Sequence, residues 1–231
     1  MKVTFIMHSA FLIESAVCTF IFDYYAGDLP KIDPDKPLYV LASHAHGDHF
    51  SEEIFRLFEN HPDVTYLLSA DIAEHCRLPE EKKIVLLEPE EEYRNLITVK
   101  TLRSNDEGVA FLVSFPDSRE DPAGAVRTIY HAGDLNNWHW DEEPDSLALI
   151  EAYHTELKKI RGSHFDAAFI PLDPRLEDHA KEGILDFAKY ADADCIFPMH
   201  MWGDYSVIDR FLALPEAGDL REKIVPASFY K

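Results

Sequence analysis

Four metal-seeking side chains crowd into one short stretch. Ser43-His44-Ala45-His46-Gly47-Asp48-His49 carries the pattern HxHxDH and directly follows the apolar run Leu38–Ala42. Imidazole and carboxylate together form a ligand set for zinc, iron or manganese. Alternation along a strand sends neighbouring side chains to opposite faces, so four can meet at one point only from a loop at a strand end. Gly47 is expected to give that loop its freedom. A second segment, His131-Ala132-Gly133-Asp134, follows the run Val126–Tyr130. The Asp134 carboxylate has two oxygens and can bridge two cations, and Gly133 allows close backbone approach. A third segment, Phe197-Pro198-Met199-His200-Met201-Trp202, ends the run Cys195–Pro198 and supplies His200. His44, His46, Asp48, His49, Asp134 and His200 are therefore expected to converge on one metal cluster.

These loops need strands to carry them. Short β-branched and aromatic runs occur at Lys2–Met7, Phe11–Glu14, Thr19–Asp23, Leu38–Ala42, Val64–Ser69 and Lys83–Leu87. A second group covers Ile97–Arg103, Val109–Ser114, Val126–Tyr130, Ala167–Pro171 and Cys195–Pro198. Helical periodicity places Ile54, Leu57 and Phe58 on one face after a Ser51 cap. Leu147, Ile150, His154, Leu157 and Ile160 trace a longer stripe that Gly162 ends, and shorter helices are expected around Ile184–Ala188 and Val207–Leu212. Asp28–Pro37 reads as a surface loop, and the acidic run Glu88–Glu92 as a solvated loop or turn. Two strand groups with interspersed helices predict two sheets covered by helices on their outer faces, within a single domain over residues 1–231.

Composition removes several function classes. Lys and Arg number 22 against 43 Asp and Glu, a net charge of −21. Such a polyanion repels phosphate backbones, so binding to nucleic acid or to anionic membranes is not expected. No apolar stretch approaches the roughly 18 residues of a membrane helix. Met1–Ser15 is interrupted by His8, Ser9 and Glu14, and reads as a strand pair, not a secretory signal. Three cysteines without a CxxC pair fit a reduced, cytoplasmic interior. No GxSxG elbow is present. Twelve histidines instead point to metal chemistry.

The three metal-type segments, in this order, resemble the metallo-β-lactamase fold superfamily. The opening His8-Ser9-Ala10-Phe11-Leu12-Ile13-Glu14 and the strand ending in Asp23 resemble one branch of it, the ascorbate-6-phosphate lactonase-like metal-dependent hydrolases. The resemblance implies an α+β fold, a four-layer αββα sandwich with its site at one edge. It implies two metal ions, zinc in the first place and manganese or iron otherwise. His44 and His46 would hold the first ion, Asp48, His49 and His200 the second, with Asp134 bridging. It implies a hydrolase in which a metal-bridging hydroxide attacks a small ester, lactone or phosphoester, with Asp48 and Asp134 in catalytic positions and His8 on the substrate at the site edge.

One element departs from that family. A third histidine for the first metal is expected between Leu102 and Val109, where this chain reads Arg103-Ser104-Asn105-Asp106-Glu107-Gly108. Either Asp106 supplies an oxygen ligand there or it is a turn residue. Trp138, His139 and Trp202 form either a pocket wall or plain packing. Arg175 offers a fork to a substrate carboxylate or phosphate, or else makes a structural ion pair. Asp23 either orients a ligand histidine or caps a turn. His75, His154, His164 and His179 read as ordinary surface or core histidines. The alternative to a hydrolase is a non-hydrolytic metal-binding or iron redox domain of the same fold.

Overall fold

Alternating large apolar residues along short strands build two sheets that face each other. The computed structural model describes residues 1–141 and 143–230. The first sheet runs in sequence order: β1 (Lys2–Met7), β2 (Ala10–Glu14), β3 (Thr19–Phe22), β4 (Leu38–Ala42), β5 (Val64–Ser69) and β6 (Ile84–Leu87). The second comprises β7 (Glu92–Arg94), β8 (Thr98–Arg103), β9 (Val109–Pro116), β10 (Val126–His131), β11 (His164–Pro171) and β12 (Asp192–Met199), again neighbour by neighbour. Each sheet begins antiparallel and ends parallel, with parallel pairing from β3 to β6 and from β10 to β12.

The two faces of each strand have different partners. Phe11, Phe20, Phe22, Tyr39 and Leu41 point between the sheets, where they share one core with Phe111, Val113, Phe115, Ile129 and Phe169. Ring centroids are 4.6 Å apart for Phe11 and Phe169 and 5.0 Å for Phe20 and Phe115. Leu12, Ile21, Val40, Ala42 and Leu68 point the other way, onto Ile54 and Phe55 of helix α1 (Glu53–Leu57) and Ile72 of α2 (Ile72–His75). On the far side, Tyr130 of β10 stacks on Phe187 of α4 (Glu182–Tyr190), whose Gly183 carbonyl accepts the Tyr153 hydroxyl of α3 (Ser146–Lys159). The layers are thus helix, sheet, sheet, helix, the expected αββα order. Strand β4 is buried along its whole length, as a strand covered on both faces must be. Helix α5 (Ser206–Ala213) follows β12. No helix among the described residues is long and apolar enough to cross a membrane.

Two local expectations are corrected. Glu92 does not lie in a loop but opens β7, a three-residue edge strand paired only with β8. Its charged, exposed residues blunt that edge against further pairing. The stripe on α3 is displaced at its start: Leu147 is 76% exposed, whereas Leu157 and Ile160 are buried as expected and Tyr153 and Glu156 join them. Glu156 is buried because its carboxylate accepts the backbone N–H of Arg103 at the end of β8, a need that apolarity alone does not register. The Ser51 cap is present: its hydroxyl accepts the Glu53 N–H, with Glu52 standing between it and the helix start.

Strand direction sets up the functional edge. β1, β3 and β4 run the same way in one sheet, and β10, β11 and β12 in the other. The residues just past these six strands are His8, Asp23, Ser43–His49, Ala132–Asp134, Asp173 and His200. Three of those turns, at His8, Asp23 and His200, hold a non-glycine residue at φ 53°, 45° and 62°. Left-handed backbone at such residues costs of order 1 kcal/mol or more each and is typical of functional sites.

Candidate metal centre

The strand-end loops bring eight ligand-type side chains into two adjoining groups. His8, Asp48, His49 and His200 offer one ligand atom each, all within 4.8 Å of one another. His44, His46, Asp106 and Asp134 do the same. Asp134 faces both groups. Its Oδ1 lies 3.2 Å from His49 Nε2 and 3.4 Å from His200 Nε2, while its Oδ2 lies 3.5 Å from His44 Nε2.

Three buried imidazoles, His44, His49 and His200, are held from behind, which leaves the other nitrogen of each for the centre. Asp23, wholly buried at the end of β3, accepts hydrogen bonds from the Ser43 N–H, the Ser43 hydroxyl and His49 Nδ1 at 2.7–2.8 Å. With the Ser43 proton spent on Asp23, its oxygen accepts from His44 Nδ1 at 3.0 Å. His200 Nδ1 donates to Asp173 at 2.9 Å. His46, half exposed, turns Nε2 to Glu107 at 2.9 Å and Nδ1 inward, 3.8 Å from Asp106. Carboxylates placed behind imidazoles in this way fix the tautomer and raise the basicity of a ligating nitrogen. The motif loop itself is anchored by Asp71, which accepts the Ala45 N–H.

The donor set fits cations. His8 Nε2, His49 Nε2 and Asp134 Oδ1 are buried without a hydrogen-bond partner, a costly arrangement unless something else meets them. Burial pushes His44 down to about 4, helped by His49, so this imidazole is neutral and free to ligate at neutral pH. Burial pushes the Asp106 carboxyl up, and the Asp134 charge beside it pushes the same way. A cation between those two carboxylates relieves that repulsion. Burial alone would also raise Asp134, but His49 and His200 outweigh it and keep the carboxylate ionised.

The remaining expected site residues separate into those that reach the centre and those that do not. His8 lies deeper than an edge position, buried with Nε2 3.2 Å from Asp48 Oδ2 and its ring 4.1 Å from that of His200. Trp138 is buried against His200, and its Nε1–H donates to the Asp134 carbonyl. Trp202 is 50% exposed, packs on His8 and donates to Asp173. Arg175 spends its Nε and Nη2 on the Asp173 carboxylate and lies over the Trp202 ring at 4.5 Å. The guanidinium is thus an ion-pair partner that braces Asp173 behind His200. His139 turns away, to Glu182 and His179.

Asp173 is the functional position that residue-by-residue reading leaves without a role. Its signal is an aspartate two residues past the end of β11, within the same short reach at which His8, Asp23, Asp134 and His200 follow their own strands. Gly47 is the converse. Open space surrounds it and its φ is not in the left-handed range, so this loop does not need a glycine there. Gly133 does need one: at φ 53° an added Cβ would lie 2.7 Å from the Ser43 Cβ.

Asp106 gives a direct assay of the second group. Asp106→Ala is expected to lower metal stoichiometry by one ion, and Asp106→His to restore it with a shift toward zinc, because imidazole is a softer ligand than carboxylate. Unchanged metal content in Asp106→Ala would show that this loop holds no metal.

No family model matches the chain. Over 79 residues it is 35% identical to a UPF0173 metal-dependent hydrolase of Desulforamulus reducens, covering 33% of this chain and 34% of that protein. Over 58 residues it is 43% identical to a UPF0173 metal-dependent hydrolase of Carboxydothermus hydrogenoformans, covering 23% and 26%. The matched stretch thus spans about a third, or less, of the curated relatives. Likeness to solved structures is far more extensive. A protein of Parabacteroides distasonis provisionally assigned as a metal-dependent hydrolase superposes with a TM-score of 0.63 at 14% identity, over 97% of this chain and 91% of that one. Igni18, a metallo hydrolase of Ignicoccus hospitalis, gives 0.61 at 13% identity, over 97% and 93%. With two facing sheets, outer helices and a ligand-rich edge that all match the order of its motifs, the chain has the fold of the metallo-β-lactamase type of metal-dependent hydrolases.

Proposed function

We propose that this chain is a metal-dependent hydrolase acting on a small ester, lactone or phosphoester. The observation that carries the reading is Asp134, whose two carboxylate oxygens face two separate groups of ligand atoms. His44, His46 and Asp106 would hold one cation and His8, Asp48, His49 and His200 the other, with Asp134 shared. The chemistry that bound cations supply is polarisation of the scissile carbonyl or phosphoryl oxygen and acidification of a water.

The chain's own residues do the rest. Asp23 and Asp173 keep His49 and His200 oriented with Nε2 toward the reacting edge. Trp138 closes one side of the centre and, through its bond to the Asp134 carbonyl, fixes the backbone of the shared carboxylate. Trp202 stands at the exposed side, next to His8, where a substrate must enter. A small anionic substrate suits such a site only if the cations overcome the net charge of −21. A second reading, an iron redox centre on the same fold, is favoured by one feature, the carboxylate Asp106 where a third imidazole is expected.

The test is turnover of a panel of p-nitrophenyl esters, lactones and phosphoesters by protein stripped with a chelator and reloaded with zinc, manganese or iron. Metal-dependent release from one class, abolished again by chelator, is the expected result. Failure of every class with every metal, together with reversible reduction of the iron-loaded protein, would favour the redox reading.

A further inference from the structure

His139 and His179 meet outside the centre described above. His139 comes from the loop after Asp134, His179 from the end of the 3₁₀ turn Pro174–His179 after β11, and Glu182 from the first turn of α4. The Glu182 carboxylate presents one oxygen to each imidazole: Oε1 is 2.8 Å from His179 Nδ1, and Oε2 is 3.1 Å from His139 Nδ1. The two ring centroids are 3.6 Å apart, and all three ligand atoms lie within 4.8 Å of one another. Tetrahedral zinc with bonds of about 2.0–2.1 Å separates its ligand atoms by roughly 3.4 Å, so the carboxylate–imidazole spacings of 2.8 and 3.1 Å fall short by about 0.6 and 0.3 Å, and the side chains must spread slightly to admit such an ion.

We propose that His139, His179 and Glu182 form a further site for a zinc-type divalent cation, with Asp141 as the residue that orients His179. The Asp141 carboxylate lies 2.9 Å from His179 Nε2, on the side of the ring opposite Glu182. A carboxylate thus faces each nitrogen of one imidazole. A neutral ring has only one N–H, so it satisfies both carboxylates only if a second positive group sits on the Nδ1 side, either a proton or a cation. With a cation on Nδ1, the Nε2–H donates to Asp141, which is the arrangement that supports ligating histidines elsewhere.

Imidazole excludes magnesium and calcium as the natural occupants, since both prefer an all-oxygen shell. Three protein ligands leave a tetrahedral ion one open position. A cleft of about 360 Å³ adjoins, lined by both histidines, Trp140, Asp141 and Arg175. The three ligand side chains are only 22–30% exposed, so water reaches the open position without washing over the whole site. The site stands independently of the hydrolase reading, because it shares no ligand with Asp134.

The experiment counts ions. Chelator-stripped wild type, His179→Ala, Glu182→Gln and Asp134→Ala are brought to equilibrium dialysis against Zn2+, and bound zinc per chain is measured by mass spectrometry. Wild type is expected to hold one ion more than His179→Ala and one more than Glu182→Gln, while Asp134→Ala keeps that ion. Circular dichroism checks that each variant is folded. Glu182→Gln preserves shape and decides the matter if His179→Ala does not fold. Co2+ titration should lose one tetrahedral absorption band in the same variants. Equal zinc content in wild type and Glu182→Gln, with both folded, would overturn the proposal.

Discussion

Asp134→Ala is expected to lose bound metal and hydrolytic turnover together. The carboxylate is buried at the end of β10, shared between two groups of imidazoles, and kept ionised by His49 and His200 against the cost of burial. Removing it leaves the two groups without the one carboxylate that faces both, and only Asp48 and Asp106 remain to offset two dications. Losing a partner that only orients a ligand already costs about 10–100-fold in affinity, and losing a shared ligand should cost more. Turnover should fall at least about a thousand-fold, some 4 kcal/mol of barrier. Metal content by mass spectrometry and rates on the substrate panel are the readouts. Asp134→Asn is the informative companion, because it keeps the shape and the Trp138 hydrogen bond to the backbone while removing the charge. Two metals and full turnover in Asp134→Ala would reduce Asp134 to a turn residue and remove the basis of the proposed function.

The second large effect concerns stability. Gly108→Ala should destabilise the protein by more than about 4 kcal/mol, a large share of a typical folding free energy. Gly108 has φ 68°, and a Cβ there would sit 2.0 Å from the Ser43 carbonyl oxygen and 2.7 Å from the His44 Cβ. The first neighbour is backbone and cannot swing away. That carbonyl also accepts the Val109 N–H, which ties the start of β9 to the metal motif. Relief would require the two sheets to part at the functional edge. Gly47→Ala is the control: with open space around it, the change should stay within about 1 kcal/mol. Denaturant midpoints of the two variants compare them directly. A Gly108→Ala protein as stable as wild type would show that this contact is not built as described.

How much of this was legible beforehand depends on the range of the interaction. Strand positions follow from apolar and β-branched runs, and eleven of the twelve strands among the described residues coincide with such runs to within a few residues, because burial on one or both faces writes itself into local composition. The exception, β7, is a charged edge strand whose only cause is its partner β8. The ligand types at three strand ends are equally local, since HxHxDH, Asp134 and His200 each follow a recognisable strand.

What only the tertiary structure decided is which nitrogen faces which oxygen. That His8 lies inside one ligand group, that Asp173 stands behind His200 with Arg175 bracing it, and that His139 leaves the centre for His179 and Glu182 all rest on pairs 27 to 192 residues apart, or on side chains turned by their packing. Sequence spacing carries no information about such pairs. Parallel strands bring their ends to one edge, and burial then forces every polar atom there to find a partner. The partners are set by the geometry of that edge, which exists only once the two sheets have closed on each other.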